Sequence, residues 1–259
     1  MLRIPASTDA AQLAGWTLVS LRPVGGHAGL RRAAQACGAR LLALSPLRLV
    51  PLETDALDAA LAADRVVFTS PAAVRHADRR RPLRGLPFAG IAVGAGTARA
   101  LRRAGVARVQ SPGRMDSEGL LALPVLADVA GRTVGMVTAP GGRGLIARTL
   151  EERGARVLRA EVYRREAMAP PASAVRRLMA LDPAHLALAL TSGEALAAAL
   201  RLLPAEAAER LRRARVVAAS GRLHALARGS GFPHVLEAAG PRPQALLAAL
   251  AASARTGFR

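Results

Sequence analysis

The stretch from Gly15 to Leu42, GWTLVSLRPVGGHAGLRRAAQACGARLL, recurs without gaps 116 residues later, from Gly131 to Leu158, as GRTVGMVTAPGGRGLIARTLEERGARVL. Identities fall at Gly15/Gly131, Thr17/Thr133, Gly25/Gly141, Gly26/Gly142, Arg32/Arg148, Gly38/Gly154, Ala39/Ala155, Arg40/Arg156 and Leu42/Leu158. Each copy reads as strand, glycine turn, helix, glycine stop and strand. In the first, Trp16 to Leu21 is the strand, Gly25-Gly26 the turn and Leu30 to Cys37 a short helix ended by Gly38. In the second the same parts are Thr133 to Thr138, Gly141-Gly142, Leu145 to Arg153 and Gly154.

Two further pairs extend the repeat. Val66 to Val74 mirrors Leu188 to Leu196 at an offset of 122, with Thr-Ser where strand meets helix in both. Ile91 to Ala98 mirrors Val216 to Leu223 at an offset of 125. Short apolar strands alternating with helices predict an α/β protein of two similar domains, each a parallel sheet flanked by helices. Leu41 to Glu53, with Pro46 and Pro51, and Val157 to Pro171, with the only Tyr, read as connections between the domains.

The composition excludes several chemistries. The chain has 259 residues, 51% of them hydrophobic, enough to bury a sizeable core. Its formal charge of +19 would suggest a polyanion partner, but Lys and Asn are absent altogether. That pattern fits a GC-rich coding bias, which accounts for part of the Arg excess. Without Lys there is no phosphate loop of the Walker type, no pyridoxal chemistry and no Schiff base. One cysteine, Cys37, permits no intrachain disulfide, and the five His show neither HxH nor HExxH spacing, so no metal site is expected. No apolar leader opens the sequence and no uncharged stretch is long enough for a membrane span, so a cytoplasmic protein is expected.

Six strand-to-helix junctions carry the polar residues that could do chemistry. They centre on Arg22-Pro23, Thr69-Ser70, Gly94 to Thr97, Thr138 to Arg143, Thr191-Ser192 and Ser220 to Arg222. In open α/β sheets ligands bind beyond the carboxyl ends of strands, where helix N-termini offer free N–H groups to anions. Taken singly, each hydroxyl could be no more than a helix cap and each glycine no more than a turn. Six together would line a ligand site with donors. Gly94 to Arg99 approaches the dinucleotide fingerprint but has Arg in place of its third glycine, and no acid follows at the required spacing. No G-x-S-x-G elbow is present. Glu151-Glu152, Arg79 to Arg81 and Arg212-Arg213 read as solvated charge. Tyr163 could be a packing residue or a functional one.

The ordered set Arg22-Pro23, Phe68 to Val74, Ala92 to Ala98, Ser117 to Leu120, Val162-Tyr163-Arg164, Leu190-Thr191-Ser192 and Ser220 to Leu223 resembles the uroporphyrinogen-III synthase family, over about Gly15 to Ala252. The resemblance implies two α/β domains joined by a two-stranded linker, with the ligand cleft between them. Residues 15–40 and 172–253 would form one domain, 54–156 the other, 41–53 and 157–171 the linker, and 1–14 and 254–259 flexible termini. It implies a cofactor-free lyase of tetrapyrrole and heme biosynthesis, which dehydrates and cyclises hydroxymethylbilane to uroporphyrinogen III with inversion of ring D. It also implies a monomer in transient contact with hydroxymethylbilane synthase, and no nucleic acid or membrane partner.

By the same resemblance Tyr163 assists departure of the substrate hydroxyl. Arg22, Thr69, Ser70, Gly94, Thr97, Gly141, Arg143, Thr191, Ser192, Ser220 and Arg222 would meet the substrate, with the hydroxyls donating to its carboxylates. Two departures bear on this set: Glu194 places an acid beside Ser192, and Leu223 replaces the hydroxyl that Thr97 offers in the other half. Two other readings remain, a non-catalytic two-domain anion-binding module and a polyanion binder. Aromatic residues are only 2% of the chain, which leaves few platforms for base stacking.

Overall fold

The computed structural model describes residues 12–114, 117–141 and 144–255. The chain forms two compact units, one running to Arg48 and resuming at Glu166, the other spanning Leu49–Arg165. The first unit begins with β1 (Thr17–Ser20), α1 (Ala28–Ala36) and β2 (Arg40–Ala43), and β3 (Leu47–Pro51) leads out of it. The middle unit contains α2 (Ala56–Leu61), β4 (Arg65–Phe68), α3 (Pro71–Arg80), β5 (Gly90–Ala92), α4 (Ala95–Arg103), β6 (Val109–Gln110), α5 (Ser117–Leu121), β7 (Thr133–Thr138), α6 (Leu145–Glu152) and β8 (Arg156–Glu161). The chain returns through β9 (Tyr163–Ala167) to α7 (Ala172–Met179), β10 (Leu186–Leu190), α8 (Gly193–Leu202), α9 (Ala205–Arg212), β11 (Arg215–Ala218), α10 (Gly221–Gly229), β12 (Val235–Glu237) and α11 (Pro243–Arg255).

Each unit has one five-stranded parallel sheet, ordered β12-β11-β10-β1-β2 and β6-β5-β4-β7-β8 respectively. Position by position these are the same sheet entered at different strands. Thr17 pairs with Arg40, and Thr133 with Arg156, so the residues shared by the two copies are also register partners. Both copies end their helix on a left-handed glycine, Gly38 at φ 80° and Gly154 at φ 82°, where a side chain would be strained. One alignment shifts by a residue: Phe68 pairs with Ala92 and Leu190 with Ala218, an offset of 126. Gly94 and Ser220 therefore hold the same N-cap position, and Thr97 corresponds to Leu223.

The linking passages are shorter than the proline and tyrosine positions suggest. β2 and β8 take Arg40–Ala43 and Arg156–Glu161 into the large sheets, and only β3 and β9 make the separate two-stranded sheet. Leu13, inside the stretch expected to be loose, is fully buried, and Ala254 and Arg255 continue α11. Residues 1–11 and 256–259, the rest of the expected flexible termini, lie outside the described residues.

Strand alternation explains the cores. In β10 Leu186, Leu188 and Leu190 face one apolar cluster while Ala187 and Ala189 face another, the small side lying with α1 and α11 residues. In β4 Val66 and Phe68 face one cluster and Val67 the other. Gly135 of β7 is required by packing, since a Cβ there would lie 1.8 Å from the Ala60 carbonyl oxygen of α2.

Candidate functional site

In both sheets the strands run parallel, so all six polar junctions fall on the carboxyl-terminal edge of their own unit's sheet. In the middle unit the connections reverse direction between β4 and β7, the place where α/β sheets open a crevice. There Thr69 Oγ1 donates to Thr138 Oγ1 at 2.8 Å, tying the two strand ends together. Beyond them lies a cavity of about 190 Å³ lined by Thr69, Ser117, Thr138, Gly141, Gly144, Arg159 and Arg165, among others. That volume suits a carboxylate-bearing side chain, not a whole drug-sized ligand of roughly 300 Å³ or more. Gly141 (φ 81°) and Gly144 (φ 66°) bound the turn before α6. Arg143, which the sequence places in this turn, lies outside the described residues with Gly142.

Ser70 and Tyr163 form the second part of this edge. Ser70 is the N-cap of α3 and its Oγ accepts the Ala73 N–H at 3.0 Å, with Pro71 in the first helical turn. The same Oγ lies 3.0 Å from the Tyr163 hydroxyl. Tyr163 is only 2% exposed. Its ring stacks on His76 at 5.2 Å and 15°, and the Arg165 guanidinium carbon lies 5.8 Å from the ring centre. Burial, aided by Arg79 and Arg75, holds the His76 pKa below its ordinary value.

Gly94 is buried at the N-cap of α4, where its carbonyl accepts both the Thr97 and Ala98 N–H groups. Thr97, expected as a donor, is buried at 3% exposure, as is its counterpart Leu223 at 4%. The third residue of this helix is buried in both halves, so Leu in place of Thr removes no exposed hydroxyl.

In the other unit the corresponding edge carries Thr191 and Ser192 after β10, Ser220 to Arg222 after β11, and Arg22 after β1. Ser192 caps α8 by accepting the Ala195 N–H at 3.2 Å, whereas Ser220, at the N-cap of α10, makes no side-chain cap bond. A Cβ on Gly193 would lie 2.7 Å from Cδ2 of the exposed Leu226, a side chain that could shift, and 3.8 Å from Arg222 Nη1. The Arg222 guanidinium thus lies near the start of α8, and Glu194, the second residue of that helix, is exposed.

Arg22 is half-buried, and its Nε is sealed from solvent without an acceptor. Burial lowers its pKa. Behind it His27 is 8% exposed and uses both ring nitrogens, Nδ1 with Ser20 Oγ at 3.0 Å and Nε2 with Ser45 Oγ at 2.7 Å.

Sequence reading passed over His27, Ser45, His76, Arg159 and Arg165. The only local signal for the first two was the freedom from acids of the whole stretch Ala10 to Leu52, which holds five Arg. Among the described residues no helix is long and apolar enough to cross a membrane.

Comparison with known proteins follows the same lines. Residues 29–248 match the family model described as "Uroporphyrinogen-III synthase HemD". The chain is 34% identical over 216 residues to uroporphyrinogen-III synthase of Salmonella typhimurium, covering 78% of this chain and 81% of that protein. It is 34% identical over 220 residues to the Escherichia coli protein of the same name, covering 81% and 87%. Among solved structures, uroporphyrinogen-III synthetase of Helicobacter pylori superposes with a TM-score of 0.62 at 17% identity, over 92% of this chain and 99% of that one. A mutant uroporphyrinogen III synthase of Thermus thermophilus superposes at 0.57 with 21% identity, over 93% and 99%. These two show that the fold is shared.

Proposed function

Because this chain belongs to the uroporphyrinogen-III synthase family, we propose that it is a lyase that dehydrates and cyclises hydroxymethylbilane, inverting ring D, to uroporphyrinogen III. The observation that carries this reading is the 34% identity to two synthases over about four fifths of the chain. The physical chemistry agrees with it. The bilane carries eight carboxylates, and the strand edges of each unit offer hydroxyls, helix N-termini and arginines, with no activated nucleophile among the described residues.

Without an enzyme the bilane closes uninverted, to the type I isomer. The protein must therefore hold the chain so that attack at the substituted carbon of ring D is favoured, which is catalysis by orientation. Thr69, Ser70, Gly141, Arg143, Thr191, Ser192, Ser220, Arg222 and Arg22 are the groups proposed to hold the carboxylates, with the backbone at Gly94 beside them. The cavity beneath Thr69 and Thr138 takes one acetate or propionate arm.

Help to the departing hydroxyl is assigned to Tyr163 through Ser70. The Tyr163 hydroxyl is too enclosed to meet a tetrapyrrole directly, but it can donate to Ser70 Oγ. With the Ala73 N–H also donated to that oxygen, the Ser70 proton is left to point at the substrate. Ser70 is then the group in contact and Tyr163 polarises it.

On this reading the chain is a cytoplasmic monomer that takes its labile substrate from hydroxymethylbilane synthase, since any delay permits closure to type I. The deciding experiment supplies purified protein with hydroxymethylbilane freshly made from porphobilinogen, oxidises the products and separates uroporphyrins I and III. Dominant type III is expected. Type I alone, as in the enzyme-free control, would refute the assignment and leave an anion-binding module.

A further inference from the structure

His27 is used by none of these steps, yet it is the centre of a buried polar bridge between two strand ends. Ser20 closes β1 and Ser45 follows β2, and the imidazole spans them with both nitrogens. A neutral imidazole has one donor and one acceptor, and hydroxyls supply either partner, so both contacts are satisfied in the uncharged form. We propose that His27 is a positioning residue for Arg22: by bridging Ser20 and Ser45 it fixes the loop between β1 and α1 so that the Arg22 guanidinium meets a substrate carboxylate. The proposal rests on the reading of Arg22 as a carboxylate-binding residue.

The loop has few other restraints. Gly26 N–H donates to the Pro23 carbonyl at 2.9 Å across a turn in which Gly25 has φ 80°, and Val24 N–H reaches the Leu47 carbonyl at 3.4 Å. The Arg22 N–H is 3.5 Å from the same Ser20 Oγ that His27 holds. A Cβ on Gly26 would lie 3.4 Å from Arg22 Cβ, so the start of the arginine side chain rests against the residue next to His27. Loss of the bridge therefore releases Arg22 at its root.

Arg22 itself is suited to an incoming anion. Its enclosed Nε finds no acceptor among the described residues, and a buried guanidinium nitrogen left unpaired is costly. No residue from Ala10 to Leu52 is acidic, so β1, α1, β2 and the segments joining them supply no carboxylate of their own. A ligand carboxylate would supply the opposite charge that these segments lack.

The same lack of acids makes the bridge proton-sensitive. The charges acting on His27 are Arg22 from its own loop and Arg31 of α1, while β1 and β2 present the two serine hydroxyls. Burial, with these two cations, favours the neutral ring, and a proton forced onto it adds a third positive charge to the cluster.

The test is steady-state kinetics of the full chain on hydroxymethylbilane at pH 8 and pH 6. Arg22→Gln should raise KM about 5–20-fold with little change in kcat, the signature of lost uniform binding. His27→Leu should do the same, and the double variant should be no worse than Arg22→Gln alone. His27→Gln, which can bridge both serines without titrating, should restore KM at pH 8 and flatten the rise in KM as the pH falls. Ser45→Ala, a milder change, should raise KM about 2–5-fold and serves if His27→Leu fails to fold. An unchanged KM in Arg22→Gln would overturn the reading of Arg22. A raised KM there, with normal KM in His27→Leu or Ser45→Ala or with additive effects in the double variant, would overturn the positioning role alone.

Discussion

Tyr163→Phe isolates one oxygen. The ring remains stacked on His76, and Ser70 keeps the Ala73 N–H, so α3 remains capped. Only the 3.0 Å hydrogen bond between Tyr163 and Ser70 is removed. A neutral hydrogen bond of this kind contributes about 0.5–1.5 kcal/mol to folding, so the variant should fold with a slightly lower midpoint. In the reaction the hydroxyl polarises the Ser70 donor as charge develops on the departing oxygen. A contribution of about 0.7–2 kcal/mol there corresponds to a roughly 3–30-fold fall in kcat, at about 1.4 kcal/mol per factor of ten. KM should change little, because Tyr163 is enclosed. The assay is the initial rate of uroporphyrinogen III formation from fresh hydroxymethylbilane, with type I counted separately as the escape product. Ser70→Ala should lose at least as much, and adding Tyr163→Phe to it should cost nothing further. Unchanged turnover in Tyr163→Phe would remove the residue from the mechanism. Additive losses in the double variant would show that the two hydroxyls act separately.

Other consequences are equally accessible. Ser192→Ala should lower stability by about 1 kcal/mol because it removes a cap, whereas Ser220→Ala should leave stability nearly unchanged and raise KM, since Ser220 makes no cap bond; thermal melts and kinetics on both variants check this. Gly135→Ala should destabilise the middle unit by roughly 1–3 kcal/mol or more, because its Cβ would lie 1.8 Å from the Ala60 oxygen; a midpoint equal to wild type would contradict the packing. Substrate KM should rise with salt if carboxylates are held by partly exposed arginines, and a salt-independent KM would refute that. The folded-state pKa values of His27 and His76 lie below 6.5, so the unfolded chain binds protons first. Stability should therefore be full above about pH 6.5 and fall as pH drops below it, and His27→Gln should reduce that slope in denaturation measured at several pH values.

The order of strands and helices was legible because it is written in local periodicity. Alternating leucine and alanine in β10, Ser or Gly before α3, α4, α6, α8 and α10, and Gly38 and Gly154 after two helices are features that a few neighbouring residues decide. The duplication was legible for the same reason, each copy being one strand-helix-strand unit. The junction residues at Thr69, Ser70, Thr191 and Ser192 follow from it. Their different uses did not, since Ser192 and Ser70 cap helices while Ser220, placed alike, does not. The burial of Thr97 was not legible either, since helix phase cannot be set from a strand end alone.

Residue types and near spacing were enough for the α/β class, the repeat, the absence of any lysine chemistry and the family resemblance. The resemblance placed β1 with β10 to β12, but only the tertiary structure decided that β2 enters the same sheet, that Ser70 meets Tyr163 and that His27 joins Ser20 to Ser45. Those contacts close long loops, and a hydroxyl carries no mark of a partner 18 or 93 residues away. The sheet's parallel pairing selects them, by setting which strand ends lie side by side.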